Sequence, residues 1–91
     1  MISPTGKPFS VTEISTLIRN HLERTFGNVE IEGEVTDYRG ANSSGHHYFS
    51  LKDAEGAVRC VMFRREAAGL KFRPANGMQV AAFGRVTVFP R

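Results

Sequence analysis

The sequence predicts a mainly β domain, with one helix at its N-terminal end and a short second helix between its third and fourth strands. Three observations carry this. A complete helix-start signal stands at Ser10, an apolar alternation of period two begins at Val29 and returns in later segments, and clusters of turn residues separate the alternating runs. The chain's 91 residues suit one domain with one core, and a domain of this size buries only a modest fraction of its surface.

Residues 1–9 read as a tail and residues 10–26 as the helix. Ser10 is placed to cap the Glu13 amide while Glu13 reaches back to Ser10, and Phe9 stands where it can pack on Ile14 as a hydrophobic staple. Ile14, Leu17, Ile18, Leu22 and Phe26 then recur at helical spacing and give one apolar stripe suited to covering another element. Gly27 is expected to end the helix in a left-handed cap.

From Val29 the apolar positions Val29, Ile31, Gly33 and Val35 alternate with Glu30, Glu32, Glu34 and Thr36, which describes a half-buried strand. A small polar loop, expected to be flexible, spans Arg39 to Gly45. The second strand follows from His46 to Lys52, with Phe49 and Leu51 on one face and His46, Tyr48, Ser50 and Lys52 on the other. Asp53-Ala54-Glu55-Gly56 reads as a hairpin turn with Gly56 available for positive φ. A third strand from Val58 to Arg64 directs Val58, Cys60 and Met62 to the core and Arg59, Val61 and Phe63 outward. Helix formers from Arg65 to Phe72 suggest a short helix. Pro74 to Gly77 is a turn, and Met78 to Phe89 reads as a fourth strand with a bulge or bend at Gly84. A five-stranded barrel of this order needs one more strand, and after Phe89-Pro90-Arg91 none remains, so the chain is expected to be truncated before the fifth strand.

Composition removes several classes of function. Cys60 is the only cysteine, so no internal disulfide forms, and no Cys and His residues show zinc-site spacing. No apolar run approaches a membrane span, and Met1 to Pro8 lacks the apolar core of a signal peptide. The expectation is a cytoplasmic domain with no metal, no cofactor and no membrane partner. The formal charge of +3 is unevenly spread: through Gly40 there are four Lys/Arg against six Asp/Glu, and from Ala41 onward eight against three. The basic second half suits a polyanionic partner.

Three stretches carry a resemblance to the OB-fold nucleic-acid-binding domains. They are Ile31-Glu32-Gly33-Glu34-Val35, the run Ser44-Gly45-His46-His47-Tyr48-Phe49-Ser50-Leu51-Lys52-Asp53, and Val58-Arg59-Cys60-Val61-Met62-Phe63-Arg64. The last of these narrows the likeness to the N-terminal domain of the exodeoxyribonuclease VII large-subunit family, and Phe72 to Met78 and Gly84-Arg85-Val86 fit the same pattern. His47 departs from it, since the family more usually has an apolar residue there.

The resemblance implies an OB-fold, a five-stranded Greek-key barrel that here lacks its last strand. It also implies a module that binds single-stranded DNA and presents it to a catalytic domain outside this chain. The parent enzyme degrades single-stranded DNA from its ends to oligonucleotides without needing a divalent metal, and works with a small partner subunit. This chain would hold no catalytic residue. Unpaired strand edges would further suit a homodimer.

Single-strand binders combine a basic groove with exposed aromatics on which bases stack. Parity turns Tyr48 and Phe63 outward. By similarity to the anticodon-binding OB domains of aminoacyl-tRNA synthetases, Tyr48 falls at a base-stacking position and Arg59 at a base-reading one. Lys52 shares their face, His46 is read as a hydrogen-bonding member of it, and Arg39, Arg64, Arg65, Lys71, Arg73 and Arg85 extend a positive track. Two other readings stay open: an assembly domain that grips the rest of the large subunit, and an RNA or tRNA-binding module.

Other constellations are weaker. His46 and His47 are neighbours on a strand, point to opposite faces and cannot clamp one metal. Glu30, Glu32 and Glu34 share a face but find no Asp or His partner on it. Cys60 lies on the core parity, which argues against a nucleophile.

Overall fold

The computed structural model describes residues 6–88. Its elements follow the order α1 (Val11–Thr25), β1 (Val29–Thr36), β2 (His47–Lys52), β3 (Ala57–Met62), α2 (Arg64–Ala68) and β4 (Gln79–Gly84). The chain divides into two compact units. One comprises Met1–Glu30 with Phe83–Arg91, and the other Ile31–Ala82.

In the first unit the reciprocal cap of α1 is present. The Glu13 amide donates to Ser10 Oγ at 3.0 Å, and the Ser10 amide donates to Glu13 Oε1 at 2.8 Å. Accepting the Ser10 amide and hydroxyl bonds holds the Glu13 carboxyl below its ordinary value. The helix ends differently from the expected left-handed cap. Phe26 is the C-cap at φ −124°, donating to the Leu22 carbonyl at 2.6 Å, and Gly27 is not among the residues with positive φ. The reason for glycine at 27 is space, because a Cβ there would run into the Glu23 carbonyl. The Val86 amide donates to the Phe26 carbonyl at 2.9 Å, and Thr87 Oγ1 donates to Glu23 Oε2. No residue of α1 is buried, and Ile14, Leu17, Ile18 and Phe26 of the apolar stripe are exposed.

The second unit holds most of a four-stranded sheet of order β3-β2-β1-β4. Three sequential strands with the fourth returning beside the first make a Greek key. β1 pairs antiparallel with β2 (Glu34 opposite Lys52, Val35 opposite Leu51), and β2 pairs antiparallel with β3 from His47 opposite Met62 to Lys52 opposite Ala57. The cross-strand partners Val35 and Leu51 form the core, each 2% exposed. β4 comes alongside through Val35, whose amide donates to the Met78 carbonyl at 2.9 Å and whose carbonyl accepts from the Gly77 amide at 2.8 Å. Among the described residues, β3 and β4 form the sheet edges.

Several boundaries move for identifiable reasons. β2 begins at His47, because His46 is taken into the preceding loop, where its amide donates to Asn42 Oδ1 and its carbonyl accepts from the Asn42 amide. Asn42 Oδ1 also accepts from the Ser44 amide, so the loop is a hydrogen-bonded turn where a flexible segment was expected. β3 stops at Met62 and α2 starts at Arg64, so the predicted continuation of the strand to Arg64 fails. Phe63 becomes the N-cap, with its carbonyl accepting from the Ala67 amide at 2.9 Å. α2 ends at Ala68 and does not reach Phe72, because Gly69 and Leu70 donate three residues back and tighten the last turn.

β4 starts at Gln79 and ends at Gly84, whereas the sequence predicts a strand from Met78 to Phe89. Met78 belongs to the preceding turn through its bond to the Ala75 carbonyl, and the Val86 amide bonds outside any strand. Phe89 lies outside the described residues. In the 53–56 hairpin the turn is held by Asp53 Oδ1, which accepts from the Glu55 and Gly56 amides, and Gly56 does not adopt positive φ. Those two bonds hold the Asp53 carboxyl below its ordinary value.

Candidate nucleic-acid interface

Antiparallel pairing places directly opposed residues on one face of a sheet. Tyr48 with Val61, Ser50 with Arg59, and Lys52 with Ala57 therefore share a face, to which β1 adds Thr36 and Glu34. His47 with Met62, Phe49 with Cys60, and Leu51 with Val58 lie on the other. The predicted outward placement of Tyr48, Lys52 and Arg59 holds, and Tyr48 is 37% exposed.

The electrostatics of this face rest on Asp37, a residue the sequence reading left out. Asp37 is the one non-glycine described residue with positive φ, at 57°. Aspartate tolerates that left-handed conformation better than most residues. Its Oδ2 lies 3.1 Å from Arg59 Nη1 and its Oδ1 3.4 Å from Arg39 Nη2, so one carboxylate bridges both arginines. Arg59 also donates to Ser50 Oγ at 3.4 Å. Lys52 Nζ stands 3.9 Å from Glu34, the partner facing it across the strands. All of these side chains are about half exposed or more, and pairs of this kind contribute at most about 1 kcal/mol each. They orient the cations without removing them from a competing anion. Beside them is a cavity of about 260 Å³, lined by Tyr48 and Arg59 from the sheet and by Asp37, Arg39, Gly40 and Asn42 from the loop.

The remaining predicted site residues do not line this cavity. His46 Nδ1 accepts the Arg64 amide at 3.1 Å, and its ring meets Phe63 edge-on at 5.3 Å, so this histidine helps to start α2. The sequence puts Phe63 on the outward parity of the third strand and Arg64 and Arg65 in a positive track. The strand ends at Met62, but Phe63 keeps an extended backbone as the N-cap of α2 and is 40% exposed, with its ring against His46. Arg64 and Arg65 belong to α2, and the aliphatic stem of Arg64 lies against Gly45, within 2.8 Å of where a Cβ would stand.

On the opposite face, His47 stacks on Tyr38 with ring centroids 5.7 Å apart and planes 6° from parallel, and the Tyr38 hydroxyl meets His47 Nδ1 at 2.9 Å. Phe49 packs edge-on against Tyr38 at 6.5 Å. A ring that stacks this way fills an otherwise apolar position. Tyr38 is tied in turn to Asn76, whose side-chain amide receives the Tyr38 N–H and donates to the Tyr38 carbonyl. Cys60 faces Phe49, and burial pushes its thiol above its ordinary value, which suits packing and opposes nucleophilic chemistry. Among the described residues no three His, Cys, Asp or Glu side chains are grouped to hold a metal ion, and no helix is long and apolar enough to cross a membrane.

Asp37 did leave a signal in the sequence: an acid at the end of an alternating run, two residues before a loop arginine. Tyr38 and Asn76 left none, since 38 residues separate them.

A family model described as the OB-fold nucleic acid binding domain matches residues 9–91. Among curated proteins, the chain is similar to the exodeoxyribonuclease 7 large subunit of Sinorhizobium medicae, 49% identical over 82 residues that cover 90% of this chain and 16% of the relative. Proteins of the same name from Brucella canis and Brucella suis are 45% identical over the same length, with the same coverage. The chain thus spans about 16% of the length of the curated relatives it matches.

Proposed function

The chain belongs to the family of OB-fold nucleic acid binding domains, and from that premise we propose that it binds single-stranded DNA across the outer face of β2 and β3. The observation that carries this reading is the meeting of Tyr48, Arg59 and Arg39 around one open cavity on that face. A base stacked on the Tyr48 ring contributes about 1 to 3 kcal/mol, and it must be unstacked from its own neighbours to reach the ring, which selects single strands. Arg59 and Arg39 supply donors for the adjoining phosphates, and Lys52 adds charge farther along β2.

The likeness to exodeoxyribonuclease 7 large subunits supports a wider role. In it this domain delivers strand to a catalytic domain elsewhere in a longer cytoplasmic protein that degrades single-stranded DNA to oligonucleotides with a small partner subunit. The edges of β3 and β4 suit pairing with a second copy of the chain.

Titration of a labelled oligodeoxynucleotide tests the reading. Affinity should fall steeply with salt, with a log–log slope of about −0.7 for each phosphate neutralised. Tyr48→Ala combined with Arg59→Ala should abolish binding while the thermal melt persists. An unchanged affinity refutes the assignment, and a salt-independent interaction would favour an assembly role. Preference for RNA over DNA of the same sequence would redirect the reading to RNA.

A further inference from the structure

A larger groove, of about 750 Å³, opens within the Ile31–Ala82 unit. The stacked pair of Tyr38 and His47 lines one part of it, and Leu70, Lys71, Phe72 and Arg73 line another. None of the proposed contacts at Tyr48 or Arg59 uses this surface.

Three observations give the groove a ligand class. Lys71, Phe72 and Arg73 are consecutive and exposed, with the Phe72 side chain among the large apolar groups open to solvent at 52% exposure. A cation, an aromatic and a cation in succession combine the two elements by which proteins hold single strands, charge for phosphate and a ring for a base. The ion pairs differ too. Arg39, Lys52 and Arg59 each face a carboxylate, whereas among the described residues neither Lys71 nor Arg73 stands in an ion pair. Both cations are therefore open to an external anion. Finally, Gly40 lines this groove and the cavity beside Tyr48 alike. At Gly40 φ is 85°, and the place a side chain would occupy has nothing within 4 Å, so the residue common to both spaces puts no side chain between them.

We propose that Lys71, Phe72 and Arg73 form a second single-strand subsite, continuous across Gly40 with the one at Tyr48 and Arg59. It takes the nucleotides that follow along the strand. Phe72 carries a base on its ring face, while Lys71 and Arg73 neutralise the phosphates on either side of it. The inference rests on the first site being a single-strand site, and it makes the footprint longer than the outer sheet face alone allows.

Oligothymidylates of two lengths, about 4 and about 12 nucleotides within the range of site sizes for one OB fold, separate the two claims. In this chain, Lys71→Ala with Arg73→Ala, and separately Phe72→Ala, should leave the short oligomer's affinity within about twofold of wild type. The same variants should weaken the long one by about tenfold. The double variant should also lower the salt slope for the long oligomer by about 1.4, the equivalent of two phosphates. Exposed positions of this kind have little effect on folding, which the thermal melt checks. Wild-type affinity for the long oligomer in both variants overturns the second subsite alone, as does an equal loss at both lengths. Wild-type affinity for the short oligomer in the Tyr48→Ala and Arg59→Ala variant refutes the first site, and the continuation falls with it.

Discussion

Replacing Asp37 with asparagine tests how the arginines of the outer face are held before DNA arrives. The carboxylate stands 3.1 Å from Arg59 and 3.4 Å from Arg39, and a phosphate approaching either must compete with it. Side-chain exposure sets the size of that competition. Arg39 is 88% exposed and pairs with Asp37 mostly through water-like dielectric, while Arg59 at 57% is the better-held partner. Exposed pairs contribute about 0.2 to 1 kcal/mol, so releasing both cations should tighten binding by about 0.5 to 1.5 kcal/mol, or about two- to tenfold in Kd. Asparagine also tolerates the left-handed backbone that Asp37 adopts at φ 57°, which keeps the loop in place and confines the change to charge.

Fluorescence anisotropy with an oligodeoxynucleotide across a salt series reads the effect. Asp37→Asn should bind more tightly at low salt and give a steeper slope, by about 0.7 if one further phosphate is neutralised. The gain should vanish near 1 M salt, where the Debye length is about 3 Å. Weaker binding at low salt would refute the reasoning, because it would mean that the carboxylate itself receives a donor from the DNA or that Arg59 needs it for orientation. An unchanged affinity and slope would show that neither arginine contacts phosphate.

Two further substitutions or conditions probe the scaffold. Gly33 is buried, and a Cβ there would stand 3.0 Å from the Lys52 carbonyl oxygen and 3.3 Å from Leu51 Cβ, neither of which is a flexible tip. Gly33→Ala should destabilise the domain by about 1 to 3 kcal/mol in a denaturant melt, and a wild-type midpoint would show that β1 and β2 separate more easily than the packing implies. Burial raises the Cys60 thiol in the folded chain, so the associated stability is complete below the unfolded value of about 8.5 and declines as pH rises through the window up to the folded value. Iodoacetamide at about pH 8.5 should accordingly modify the native chain more slowly than the urea-unfolded one, and equal rates would place the thiol at the surface.

Local pattern alone determined the cap at Ser10, the three alternating runs and the outward face of Tyr48 and Arg59, because each depends on neighbours within a few residues. A period of two assigns faces wherever the strand persists, and β2 and β3 persist across Tyr48, Ser50, Lys52, Val61 and Arg59. The same rule carried the third strand past its end, since β3 stops at Met62, one residue before Phe63. That end was decided by His46, a residue 18 positions from Arg64, accepting the amide that begins α2. Tertiary placement likewise decided that Asp37 joins Arg59 across 22 positions and that Tyr38 binds Asn76 across 38. Contacts between residues distant in sequence follow from how the Greek key brings strands and loops together, and no spacing along the chain encodes them.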